Sequence, residues 1–164
     1  MISLILLSLV SGVAAFPSGP PIEACEDLRP LHGGSESQPG SPFTINVNVP
    51  TYSPGQQVQV TISSSDGQRF KGFMIQARDE ASTVVGTWTN LPTLTKHMAC
   101  SYDNSTVSHS DRLNAAQVSL NWQAPDQSVG NVVFVATFVR NYQHPDPTTS
   151  LYWTGIRSAT LTPA

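Results

Sequence analysis

Apolar and polar residues alternate with a period of two through several stretches of this chain. Phe43, Ile45, Val47 and Val49 fall on one side of a strand, with Thr44, Asn46 and Asn48 on the other, until Pro50 ends the run. Ser53-Pro54-Gly55 marks a turn. Val58, Val60 and Ile62 then alternate with Gln57, Gln59 and Thr61, and Ser63 to Gly67 is a polar turn. Phe73, Ile75 and Ala77 stand opposite Met74, Gln76 and Arg78, while Val118, Leu120 and Trp122 alternate with Ser119 and Asn121. Such spacing, with turn signals between the runs, predicts an antiparallel sandwich or barrel. Val132 to Val139 is apolar on both faces, so this strand is expected in the middle of a sheet. A last strand is expected within Leu151 to Thr162. No window carries an apolar stripe at helical spacing.

The ends of the chain read differently. Met1 to Ala15 is apolar and uncharged, and Val13 and Ala15 stand where a signal peptidase selects small residues before a cut at Phe16. Its apolar core, Ile2 to Val10, is well short of the roughly 20 residues that span a bilayer. Residues 1–15 are therefore expected to be a signal peptide and 16–164 a single secreted domain, with no membrane insertion. Phe16 to Pro42 is rich in proline and glycine and lacks periodicity, so 16–42 is expected as an extended arm and 43–164 as the sandwich.

Charge then narrows the partners. Eight Lys and Arg against eleven Asp and Glu give a net charge of −3. Nucleic acid is not expected as a partner, because its phosphates demand clustered cations. Two cysteines, Cys25 and Cys100, are expected to pair in an extracellular chain; two free thiols or an intermolecular bridge are the alternatives. Asn104-Ser105-Thr106 is an acceptor sequon for glycosylation at Asn104.

The candidate chemistry is thin. His32, His97, His109 and His144 lack the spacing of a helical zinc motif, so no metal or cofactor is expected. His109 lies among Ser108, Ser110 and Asp111, which suggests a hydrolase, but no nucleophile elbow accompanies it and a hydrogen-bonded structural histidine is the simpler expectation. Arg78 is expected to be exposed or structurally paired, with an Asp such as Asp103 or Asp111, rather than to anchor a ligand. Asn141 to Trp153 sets polar turn residues beside aromatics, making Tyr142, His144, Tyr152 and Trp153 a candidate binding surface, although packing is the commoner role for such rings.

Read together, the landmarks are Ala24-Cys25, Pro30-Leu31-His32-Gly33, Ser41-Pro42-Phe43, Tyr52-Ser53-Pro54-Gly55 and the block from Phe70 to Arg78. Val85-Gly86-Thr87-Trp88, Cys100, Thr106 to Ser110, Trp122-Gln123-Ala124-Pro125, Val133 to Thr137 and Tyr152-Trp153 follow. Their order and spacing resemble the reeler domain, found at the start of reelin and F-spondin, before the redox domains of ferric-chelate-reductase-like proteins, and alone in secreted insect defence proteins. The resemblance covers nearly all of 16–164 and implies an immunoglobulin-like β-sandwich. The sequence stops at Ala164 without the modules of the multidomain relatives. It therefore points to the stand-alone members: a monomeric, non-enzymatic defence protein binding microbial cell-wall or lipid components. The alternative it implies is an extracellular-matrix or adhesion module binding a host protein or glycosaminoglycan.

Overall fold

The computed structural model describes residues 16–31, 36–141 and 150–164. Each alternating run becomes a strand, because period two places its apolar side chains on one face. The strands are β1 (Phe43–Val47), β2 (Thr51–Tyr52), β3 (Gln57–Ser64), β4 (Gly72–Arg78), β5 (Thr87–Thr89) and β6 (Thr95–Met98). They continue with β7 (Thr106–His109), β8 (Gln117–Gln123), β9 (Val133–Asn141), β10 (Leu151–Arg157) and β11 (Thr162–Pro163). A four-stranded antiparallel sheet runs β1-β3-β8-β5, and a five-stranded one runs β10-β9-β4-β7-β6. The small pair β11-β2 is parallel. The chain is thus an all-β, immunoglobulin-like antiparallel sandwich.

The core lies between the two sheets. One supplies Ile45, Val58, Val60, Ile62, Leu120 and Trp122; the other supplies Phe73, Ile75, Ala77, Phe134, Ala136 and Phe138. Register enforces the match, since Phe73, Ile75 and Ala77 pair with Phe138, Ala136 and Phe134. Phe43 stacks on Phe138 with centroids 4.8 Å apart, and Trp122 meets Phe134 edge-on at 5.4 Å. Gly86 is required here: its φ is +65°, and a Cβ on it would stand 2.4 Å from the Trp122 indole.

Three elements differ from the pattern. Alternation assigns Met74, Gln76 and Arg78 to a solvent face, yet Met74 and Gln76 are buried and Arg78 is half-buried. The arm covers that face. It contains a short 3-10 helix, Ile22–Cys25, and its Ala24 and Leu28 pack with Met74, Met98 and Val135 in a second apolar layer. β6 and β7 are short and polar, so periodicity does not reveal them. Their buried hydroxyls are paired instead: Thr106 accepts from Gln76 and Ser108 donates to the Phe73 carbonyl. The last expected strand is split, because Gly155 adopts φ +70° within an irregular stretch of β10 and β11 leaves to pair with β2.

Candidate functional site

The arm is held to the five-stranded sheet at three kinds of contact. Cys25 and Cys100 form a disulfide with Cα atoms 5.3 Å apart. Gln76 Nε2 donates to the Cys25 carbonyl at 3.1 Å, and Arg78 Nη2 donates to the Glu26 carbonyl at 2.9 Å. Arg78 also donates twice to Gln76 Oε1, so its partners are Gln76 and the arm, not the expected Asp103 or Asp111. Apolar contacts of Ala24 and Leu28 complete the attachment.

Beside this anchor the arm stands off the sheet and leaves a cleft of about 110 Å³. Phe16, Pro17, Pro20, Leu28 and Pro30 form the arm's wall. The opposite wall comes from the start of β4 (Gly72 to Met74), from β9 (Thr137 and Val139) and from the end of β7 (His109). Lys71 and Arg112, both exposed, stand at the cleft as cations. The His109 ring lies against Gly72, where a Cβ would come within 2.7 Å of it; glycine at this position lets the ring seat there.

His109 is held mainly by backbone groups. Its Nδ1 lies 3.2 Å from the Phe73 amide, 3.1 Å from the Phe73 carbonyl and 3.2 Å from Ser108 Oγ, and its Nε2 lies 3.3 Å from the Phe16 carbonyl. Burial holds its pKa below the ordinary value of 6.5 and Lys96 adds to this, while the carbonyls of Phe73 and Phe16 and the charge of Asp111 oppose it. Ser108 Oγ donates to the Phe73 carbonyl at 2.8 Å, lies 3.2 Å from His109 Nδ1 and is fully buried, so the pair brackets neighbouring strands.

A pH dependence follows. The unfolded chain takes up a proton on this histidine before the folded chain does, so His109 contributes stability above about pH 6.5 that is lost as pH falls towards its lower folded value. Urea unfolding at stepped pH should therefore show a loss on acidification that His109→Gln flattens. Identical slopes in the two proteins would contradict it.

The remaining candidates are placed as follows. Asn104 is exposed in the turn after Cys100, in the left-handed region at φ +61°, which asparagine tolerates. Tyr142, His144 and His32 lie outside the described residues. Tyr152 and Trp153 are 4% and 6% exposed, which corrects their assignment to a binding surface. Tyr152 lies beneath the arm, whose Ser37 pairs with it and whose Gln38 amide donates to its carbonyl. Trp153 packs edge-on against Phe43 at 5.2 Å, under the Arg140 guanidinium. Trp88 and Trp122 are core residues. His97 Nε2 lies 2.9 Å from the Trp88 carbonyl. Among the described residues no three His, Cys, Asp or Glu side chains are grouped to hold a metal. Sequence reasoning missed the cleft, because its residues come from four separate segments. The one local hint is that apolar Phe16 and Leu28 occur in an arm with no strand of its own.

A family model described as the reeler domain matches residues 23–164. The chain belongs to the reeler domain family. Putative defense protein 3 of Antheraea mylitta is 32% identical to this reeler domain over 161 residues, which span 96% of this chain and 94% of that protein. Ferric-chelate reductase 1 of Bos taurus is 33% identical over 158 residues, covering 93% of this chain but 25% of its own. The likeness to the reductase is therefore confined to the reeler portion. The crystal structure of the Reelin-N domain of F-spondin superposes with a TM-score of 0.62 at 20% identity, covering 80% of this chain and 93% of that one. That similarity establishes the shared reeler fold.

Proposed function

We propose that this reeler domain is a secreted, monomeric, non-enzymatic protein of innate defence that binds a microbial surface component at the arm–sheet cleft. The observation that carries the reading is the end-to-end similarity to the silk-moth protein, in which each chain covers more than nine-tenths of the other. The cleft supports it: a concave, mainly apolar site with a few polar groups is the usual form of a ligand pocket. Ser108, the hydroxyl beside His109, is fully buried and donates to the Phe73 carbonyl, which favours binding over catalysis. No helix among the described residues is long and apolar enough to cross a membrane. Secretion carries the expected cut before Phe16 and a glycan on Asn104.

A second reading, a matrix or adhesion module, draws on the fold shared with F-spondin. It needs a cationic patch for glycosaminoglycan; Lys71 and Arg112 at the cleft are the candidates, since Gln76 and Glu26 occupy the Arg78 guanidinium. The test is retention of the purified secreted chain on whole bacteria, fungal wall and heparin beads. The defence reading expects saturable retention on microbial surfaces and none on heparin. Retention on heparin alone would replace it with the matrix reading.

A further inference from the structure

The cleft joins an apolar interior to a cationic mouth. Its interior is formed by Phe16, Leu28, Met74 and Val139 with three prolines of the arm. Lys71 and Arg112 line it and no carboxylate does, although acidic residues outnumber basic ones in the chain as a whole. Lys96 adds a third cation nearby, its Nζ 2.9 Å from where a Cβ on Gly19 would lie.

The surroundings extend the apolar character outward. Four large hydrophobic side chains are exposed among the described residues, and three of them belong to segments that adjoin the lining residues: Ile22 at 56%, Leu31 at 47% and Leu94 at 46%. Leu31 follows Pro30 of the wall, and Ile22 lies two residues beyond Pro20. The Leu94 carbonyl accepts the amide of Ser110, the residue after His109. Exposed apolar residues gathered around one opening mark a binding surface more than scattered ones do. A cleft of about 110 Å³ suits a narrow alkyl chain better than stacked rings.

We propose that the cleft seats the acyl chain of a single-chain anionic amphiphile, its first methylenes against Phe16, Leu28, Met74 and Val139 and its headgroup between Lys71 and Arg112. This rests on the reading of the cleft as the recognition site and names the chemistry it recognises. The cations select the headgroup by charge, since a cationic amphiphile with the same tail would place like charges together.

Titration calorimetry of the full secreted chain tests it, with hexanoate, octanoate, decanoate and laurate below their micellar concentrations and dodecylammonium as the control. Each methylene entering the cleft should tighten binding roughly fourfold until the cleft is full, with smaller gains beyond. Laurate should bind at least tenfold more tightly than dodecylammonium. Lys71→Glu with Arg112→Glu, two exposed positions, should reverse that preference while circular dichroism stays unchanged. Equal affinity for the two headgroups, or no gain with chain length, would overturn the proposal; both measurements use the unmodified protein and hold even if the double variant misfolds. Laurate binding without retention on bacteria would leave the acyl site standing and remove the defence reading. Retention on bacteria without laurate binding would do the reverse.

Discussion

Cys100→Ser should destabilise the domain by about 4 to 5 kcal/mol, the loop-closure entropy that a bond across 75 residues removes from the unfolded chain. For a domain of this size that corresponds to a fall in melting temperature of roughly 10 to 20 °C. The effect is large because the bond closes a long loop in the unfolded chain, while the arm's other contacts act only in the folded one. Ala24 and Leu28 contribute apolar contacts, Gln76 and Arg78 donate to two carbonyls, and Ser37 pairs with Tyr152. Scanning calorimetry of wild type and variant measures the difference. The wild-type intact mass should be two hydrogens below that of the reduced chain. A melting shift of a degree or two would mean that those contacts hold the arm without the bond.

Phe134→Ala should cost about 3 to 5 kcal/mol, the range for removing a fully buried aromatic ring. Phe134 is fully buried on β9, with β4 and β10 on either side. Its ring meets Trp122 at 5.4 Å and Trp88 at 5.7 Å, so truncation leaves two indoles facing a void that the paired strands cannot collapse to fill. Ser119→Ala is the matched control. Ser119 is exposed on β8 and its hydroxyl meets that of Thr61 at 3.3 Å, so the change should stay within about 0.5 kcal/mol. Denaturant unfolding of both variants gives the comparison. Similar losses from the two would mean that the assigned faces of the sandwich are wrong.

The strands most legible in the sequence are those whose two faces have different surroundings. β1, β3 and β8 alternate cleanly because one face meets the core and the other meets solvent. β9 announces its central place by being apolar on both faces. β4 was half legible. Its inner face, Phe73, Ile75 and Ala77, follows the rule, but Gln76 is polar and fully buried because the arm and Thr106 satisfy its amide. No periodicity carries that information, since the covering segment lies some fifty residues earlier in the chain.

The candidate site was legible only in part. The cysteine pair follows from residue type and compartment, and the structure joins it. Tyr152 and Trp153 look like surface aromatics because polar turn residues precede them. They are buried because β10 is packed from both sides, by Phe43 and Arg140 on one and by the arm on the other. His109 was read as a structural histidine, and its place agrees: beside Ser108 Oγ at 3.2 Å, its ring meets the backbone of Phe73 and Phe16, which no neighbour in sequence reveals. The cleft assembles residues from 16–30, 71–74, 109–112 and 137–139, a union that only the folded chain displays.

Recognition of microbial surfaces at the arm–sheet cleft, the proposed function, can be followed by chemical-shift mapping, titrating the isotope-labelled domain with a solubilised bacterial envelope extract and reading every backbone amide. Saturable shifts are expected at Phe16 to Leu31, Lys71 to Met74 and His109 to Arg112, with the exposed face of the four-stranded sheet unmoved. Shifts concentrated on that face, or on the turn carrying Asn104, would contradict it, as would a spectrum that the extract leaves unchanged.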